Sequence, residues 1–190
     1  MTVVSSETTV FRPRDVSRRL RRAASAARSC RDPERDDLSE VSVSFPDASI
    51  DYRRHPECYR IGHGERGVFH VQPYKDELLP LWAIRNEADA RQAVAELHAR
   101  YCDYRERGDF VGMDMARKYL QMGYTRARRY ACYPGGRKKD AQGRLRQPRN
   151  ADAEKARIAE CYRERLDHVR ADEAYQQAKR EHQRRLKSRR

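Results

Sequence analysis

The 190-residue chain lacks any apolar run long enough to cross a membrane. Its longest apolar stretch, from Leu78 to Ile84, is interrupted by Pro80. The first eleven residues contain neither the basic segment nor the hydrophobic segment of a secretory signal, so we expect no signal peptide. These observations predict a cytoplasmic protein that has no membrane among its partners.

Paired cysteines are lacking as well. The five cysteines are scattered, odd in number and without a CxxC motif, which favours reduced thiols. His55, Cys58, His63 and His70 form the only cluster of metal-capable side chains in the sequence, and their spacing fits no usual zinc pattern. No catalytic triad or Cys-His arrangement is legible. We therefore assign no catalytic residues, no metal and no cofactor, and expect a binding protein rather than an enzyme.

Acidic residues are scarce in one part of the chain. Residues 126–190 contain twenty-one Lys and Arg against nine Asp and Glu, whereas residues 51–125 contain twelve of each and residues 1–50 contain nine against eight. The net charge of +13 is thus concentrated in the last third. Such asymmetry is typical of a protein that binds a polyanion.

Composition divides the chain into three parts. Residues 1–50 are poor in core-forming side chains and separate their charges, with eight arginines and one acid between Arg12 and Arg31 and an acidic block from Asp32 to Pro46. We predict a disordered charged arm over residues 1–50, a single globular domain over 51–185 and a basic tip over 186–190.

Within the globular part, the pattern predicts an α+β fold that is predominantly helical. Cys58–Gly62 and Gly67–Val71 are strand-like and flank a turn signal, which predicts an N-terminal β-hairpin. A helical core follows, including a long helix capped by Asn86 and ended by Gly108. One long C-terminal helix is predicted from about residue 151, with an apolar stripe made of Ile158, Tyr162, Leu166 and Val169.

The segment Gly108–Ala131 is central to the prediction. Asp109 is a suitable N-cap, Gly123 a suitable residue to end a helix and Thr125 a second N-cap, so the segment is interpreted as helix, tight turn and helix. The first of these helices is apolar nearly all round, as in a buried helix. A narrow polar strip is expected at its surface, formed by Asp114, Arg117, Lys118 and Gln121.

Four segments carry a resemblance to a known family: Tyr52–Arg60, Gly64–Val68, Pro73–Lys75 and, above all, Gly108–Ala131. The chain resembles a domain-of-unknown-function family of small cytoplasmic proteins found in microbes and viruses. The likeness extends over about residues 51–185. It implies the limits of the domain and no particular activity.

The sequence favours nucleic-acid binding through phosphate contacts. A buried helix followed by an arginine-rich helix is similar to a helix–turn–helix arrangement, and the sequence pI of about 9.8 fits a polyanionic partner. Contacts to DNA or RNA, without sequence specificity, are predicted for Arg126, Arg129, Arg137, Lys138 and Lys139.

Two alternatives stay open at this stage, as does the oligomeric state. Gly62, Gly64 and Gly67 match G-x-G-x-x-G, and a glycine-rich hairpin can cover the phosphates of a small ligand in an enzyme or sensor. The same glycines also suit a simple turn with positive φ. The other alternative is a protein-interaction module whose C-terminal helix pairs with an acidic partner.

Overall fold

A computed structural model of the chain describes residues 46–149 and 152–188. Five α-helices lie in these ranges, and we name them α1 (Tyr74–Leu78), α2 (Glu87–Glu106), α3 (Phe110–Cys132), α4 (Ala153–Ala171) and α5 (Glu173–Ser188). Short 3₁₀ turns occupy Pro56–Cys58, Leu79–Leu81 and Pro134–Gly136. No helix of the described ranges is both long enough and apolar enough to span a bilayer.

Helix α3 is the centre of the fold. It packs most extensively against α4 and then against α2, and these two helices also pack against each other. Two glycines of α3 allow the close approach: an added Cβ on Gly112 would lie 2.5 Å from the Tyr104 ring of α2, and one on Gly123 would lie 2.2 Å from the Tyr162 ring of α4. Tyrosine rings therefore fill the space that larger side chains on α3 would occupy.

The predicted boundaries of α2 and the start of α3 are confirmed. The Asn86 side chain accepts the N–H of Asp89 at 2.8 Å. At the other end Gly108 has φ of +65°, and the N–H of Asp109 bonds the Tyr104 carbonyl at 2.8 Å, which is the hydrogen-bond pattern of a Schellman ending. Asp109 then caps α3 by accepting the N–H of Gly112 at 2.9 Å.

The predicted turn at Gly123 is wrong, because α3 continues without interruption from Phe110 to Cys132. Gly123 is a packing residue beneath Tyr162 and not a helix end. Thr125 does not cap a new helix; its hydroxyl contacts the Glu65 carboxylate and lies 3.2 Å from the Met122 carbonyl in the preceding turn. The helix–turn–helix interpretation therefore does not hold.

The predicted N-terminal hairpin is not confirmed: no β-strand occurs in the described part of the chain, where residues 59–62 have no regular structure and residues 63–71 form bends and turns. The apolar residues that suggested strands are instead buried against α3, among them Tyr59, Val68 and Val71. Side chains of α3 satisfy backbone carbonyls of this segment, as the Tyr119 hydroxyl does for Val68 at 3.0 Å. The prediction of a predominantly helical fold is therefore confirmed for the described residues, whereas its β part is not.

The prediction of one long C-terminal helix is wrong, because two helices, α4 and α5, are separated at Asp172. The buried stripe on α4 is confirmed, since Ile158, Tyr162, Leu166 and Val169 are all buried. Asp172 then accepts the N–H of Ala174 at 2.8 Å and the hydroxyl of Tyr101 at 2.8 Å. The change of direction at Asp172 brings Tyr175 of α5 into the core.

Candidate functional site

The basic residues predicted to bind nucleic acid lie at the C-terminal end of α3 and in the loop that follows it. Arg126 and Arg129 belong to the last turns of α3 and are half-buried, while Arg137, Lys138 and Lys139 are exposed in the loop. At 1.5 Å per residue, this end of α3 is about 33 Å from its first residue. The structure therefore places all five predicted residues at the same end of the central helix.

The loop 133–149 returns to the helix from which it starts. The N–H of Arg149 bonds the Cys132 carbonyl at 2.7 Å, and the N–H of Asp152 bonds the Ala131 carbonyl at 3.3 Å. Between these ends, the N–H of Arg146 bonds the Lys138 carbonyl at 2.9 Å. These bonds bring two further arginines, Arg146 and Arg149, to the surface that we call the basic end: Arg126, Arg129, Arg137, Lys138, Lys139, Arg146 and Arg149.

Asp140, the only acid of this loop, is bonded to other residues of the same loop. Asp140 accepts the N–H groups of Gln142 and Arg144 at 3.0 and 2.8 Å and forms an ion pair with the Arg144 side chain at 3.0 Å. These bonds, with the backbone N–H of Arg144 as the main cause, hold the pKa of Asp140 below its ordinary value. Among the described residues, no carboxylate lies within 4.0 Å of a charged nitrogen of Arg126, Arg137 or Lys139.

An aromatic ring is exposed beside these charges. Tyr130 is 37% exposed, and the guanidinium of Arg129 lies 5.7 Å from the centre of its ring. Gly136 covers part of the ring, because an added Cβ there would lie 2.7 Å from Tyr130 Cε1. The Nε atom of Arg129 is buried and has no hydrogen-bond partner in the described part of the protein. Part of the Arg129 side chain is therefore buried, while its charged guanidinium lies near the Tyr130 ring.

The polar strip expected at the surface of α3 is instead a buried charge cluster around Asp114. The carboxylate is fully buried and accepts hydrogen bonds from the hydroxyls of Tyr59 and Tyr175 and, at 2.8 Å, from Arg117 Nε. Burial raises the pKa of this carboxyl, but the charges of Arg117 and Lys118 outweigh it and keep the pKa low. Arg117 and Lys118, at i+3 and i+4 from Asp114, therefore form buried ion pairs with it and not surface pairs.

Lys118 connects this cluster to the glycine loop, residues 62–67. Its Nζ atom lies 3.9 Å from an oxygen of Asp114 and donates to the Arg66 carbonyl at 2.9 Å. The side chain is 1% exposed, and burial lowers the pKa of Lys118 to about 8 against the attraction of Asp114. The glycine loop therefore acts as the cover of the buried charges.

The three glycines of the alternative ligand site follow from this packing. Gly64 and Gly67 have φ of +60° and +86°, as a turn requires, and Gly62 faces the Lys118 amine, 3.4 Å from where a Cβ would lie. Lys118 fills the space beneath the loop and is bonded to its backbone. Phosphate binding by Gly62, Gly64 and Gly67 stays a prediction, and no contact of the described residues supports it.

Sequence reasoning missed the second half of the basic loop and the burial of Asp114. Arg146 and Arg149 belong to the same basic run as Lys138, so the composition signal was present. Burial of Asp114 had no local signal, because Tyr59 and Tyr175 come from distant parts of the chain. In the described ranges, no group of three His, Cys, Asp or Glu side chains is arranged to hold a metal ion.

Comparison with known proteins identifies the family of the chain. The model of the family described as Domain of unknown function (DUF4385) matches residues 42–185, which confirms the resemblance found in the sequence and starts nine residues before the predicted limit of 51. No curated protein and no solved structure matches the chain.

Proposed function

We propose that the chain, which belongs to the DUF4385 family, binds nucleic acid through the phosphates that its basic end can contact. The observation that carries this proposal is the return of the loop 133–149 to the last turn of α3. Because of that return, basic residues from two segments share one surface whose only loop acid, Asp140, is already paired with Arg144. Among the described residues, Arg126, Arg137 and Lys139 have no carboxylate within 4.0 Å, so they are available to phosphates at little desolvation cost.

The arrangement favours contact with the backbone over reading of bases. Arg126 and Arg129 are half-buried at the end of α3, and most of this helix is buried in the core. Because no long exposed stretch of α3 remains, the helix cannot lie in a major groove of DNA. The basic side chains of the loop are exposed and have several rotatable bonds. They can therefore reach phosphates along a nucleic-acid backbone. The exposed ring of Tyr130 beside Arg129 adds a surface on which an unpaired base can stack.

Fluorescence anisotropy tests the proposal with labelled random-sequence single-stranded RNA, single-stranded DNA and duplex DNA at several salt concentrations. We expect the logarithm of the binding constant to fall with the logarithm of salt, with a slope of about −0.9 per phosphate contacted on duplex DNA and about −0.7 on single strands. Absence of binding at low salt, or binding that salt does not change, would show that the proposal is wrong.

A charge-matched pair of variants locates the surface. The triple variant Arg137→Gln, Lys138→Gln and Lys139→Gln removes three charges from the basic end, and Arg180→Gln, Arg184→Gln and Lys187→Gln removes three exposed charges from α5. We expect the first to lower the magnitude of the duplex salt slope by about 2 to 3 and the second to change it much less. Equal losses in the two variants would mean that net charge alone, and not the basic end, attracts the nucleic acid.

A further inference from the structure

A cleft of about 420 Å³ lies at the opposite end of α3 from the basic end. Three parts of the chain form it: the segment before the first 3₁₀ turn with Arg53, the α2–α3 connection with Arg107, and α5 with His182 and Arg185. Its volume lies within the range of small-molecule sites. We call it the arginine cleft.

The floor of the arginine cleft is aromatic and held in place. The ring of Phe110 is stacked on Tyr175 with centroids 6.1 Å apart and lies 4.8 Å from the ring of His182. His182 is itself 8% exposed, and its Nε2 atom lies 2.8 Å from the Tyr59 carbonyl oxygen. Since a carbonyl only accepts, Nε2 carries the proton and Nδ1 is the second polar atom of the ring. An apolar group of a ligand would find a rigid surface here.

One wall of the cleft is a fixed arginine. Both terminal nitrogens of Arg53 bond the carboxylate of Glu77 at 2.8 Å, and the guanidinium lies 4.9 Å from the centre of the Tyr74 ring. Its Nε atom is 3.8 Å from an oxygen of Asp109, which also accepts the Tyr74 hydroxyl at 2.8 Å. The single positive charge of Arg53 is therefore shared by Glu77 and Asp109, which leaves this wall with one net negative charge.

The other two guanidinium groups are available. In the described part of the chain, neither Arg107 nor Arg185 forms an ion pair with a carboxylate within 4.0 Å. The remaining acid of the cleft, Glu181, is one turn before Arg185 on α5 and accepts a hydrogen bond from Gln177 at 3.2 Å. Two arginines without ion pairs and an aromatic ring thus line the same cleft, which suits a ligand that has one doubly charged phosphate and one apolar ring.

We propose that the arginine cleft binds a small organic phosphate monoester, with its phosphate between Arg107 and Arg185 and its apolar part on Phe110. This site is separate from the basic end and does not depend on nucleic-acid binding. Glu181 opposes an anion in the cleft, so its removal has the opposite effect to that of the arginines.

Calorimetric titration of the full chain with phenyl phosphate, inorganic phosphate and benzyl alcohol tests the proposal. We expect phenyl phosphate to bind with one site per chain and more tightly than either of the others, because only this probe uses both parts of the cleft. Weaker binding of phenyl phosphate than of inorganic phosphate, or no binding, would overturn the proposal.

Three variants place the binding site. Arg107→Gln with Arg185→Gln is expected to weaken phenyl phosphate at least about tenfold, since each bond to a charged group is lost. Glu181→Gln is expected to tighten it severalfold, and Arg126→Gln with Arg137→Gln at the basic end to leave it unchanged. Equal weakening by the two double variants would overturn the proposal, and so would unchanged affinity in both Glu181→Gln and the cleft variant.

A phosphate monoester also occurs at the 5′ end of a nucleic acid. A 5′-phosphorylated trinucleotide and its 5′-hydroxyl counterpart separate the two sources. Equal and weak binding of the two supports the small-molecule site. Preference for the 5′-phosphate that exceeds the affinity for phenyl phosphate and is lost in the Arg107→Gln, Arg185→Gln variant would replace the small molecule by a nucleic-acid end.

Discussion

Helix α3 carries two pairs of basic residues: Arg117 and Lys118 in its middle, and Arg126 and Arg129 in its last turns. The first pair is buried beside Asp114, whereas the second pair is half-buried and has no carboxylate partner in the described part of the chain. The two pairs differ in what covers them. The glycine loop and α5 cover the first pair, whereas the second pair lies beside the loop 133–149, whose only acid is already paired with Arg144. Buried charges stabilise a particular packing, and only exposed ones are available to a partner.

High pH is expected to have the largest effect on stability, because it acts on the buried core that surrounds Arg117 and Lys118. Seven buried tyrosines donate their hydroxyls to carboxylates or backbone carbonyls, namely Tyr59, Tyr74, Tyr101, Tyr104, Tyr119, Tyr162 and Tyr175. Burial is the main reason why the pKa of each lies above its ordinary value of 10.0.

The sign follows from which state loses the proton. Above pH 10 the unfolded chain ionises its tyrosines while the folded protein keeps them protonated, so stability that is complete below pH 10 is lost as pH rises. The loss is about 1.4 kcal/mol per tyrosine at about pH 11. Urea unfolding at about pH 9 and about pH 11, together with tyrosinate absorbance, measures it. Equal urea midpoints at the two pH values would contradict the prediction.

Removal of the charge of Asp114 should have the next largest effect. Asp114→Asn leaves Arg117 and Lys118 buried without a counterion, for which we expect a loss of about 3–5 kcal/mol in the free energy of unfolding. Asp167→Asn is the control, because Asp167 is exposed and lies 3.8 Å from Arg170, where a surface pair contributes about 0–1 kcal/mol. Similar unfolding midpoints for the two variants would show that the Asp114 cluster does not stabilise the fold.

Gly123→Ala tests whether the two halves of α3 form one helix. The new methyl group would meet the Tyr162 ring at 2.2 Å, so we expect destabilisation of about 1–3 kcal/mol by overpacking. If Gly123 instead ended a helix at an exposed turn, Tyr162 would be irrelevant to the cost. A double-mutant cycle with Tyr162→Leu decides, because additive losses in unfolding free energy would exclude the contact.

The smallest effect on stability is expected at the basic end. Arg137→Gln, Lys138→Gln and Lys139→Gln together should change the unfolding free energy by no more than about 0.5 kcal/mol, since these side chains are exposed. Thermal unfolding followed by circular dichroism measures the change. A large loss would mean that these residues support the loop and would weaken their use as a binding surface.

Local signals in the sequence were sufficient for the helices that begin with a cap and carry one apolar stripe. Asn86 and Asp109 cap as predicted, and the predicted apolar stripe of α4 is buried, namely Ile158, Tyr162, Leu166 and Val169. The errors arose where a residue serves a distant partner. Gly123 has the sequence context of a helix end, but its role is set by Tyr162 on another helix.

The basic end was only partly predictable for the same reason. Composition indicated Arg137 to Lys139, since charge density is a local property of the sequence. The return of Arg149 to Cys132 depends on backbone hydrogen bonds that no local pattern specifies. The Asp172 break was detectable in principle, because an Asp followed by Glu173 is a common start of a helix.

The bond from Lys118 to the Arg66 carbonyl links local opening of the glycine loop to proton uptake. With a pKa of about 8 beneath the closed loop and of 10.5 in water, Lys118 binds a proton more tightly once the loop has lifted. Opening is therefore easiest below pH 8, and its free energy rises by up to about 1.4 kcal/mol per pH unit between pH 8 and 10.5. Over that interval the loop becomes harder to open, whereas from about pH 10 upward the ionisation of tyrosines in the unfolded chain destabilises the protein as a whole.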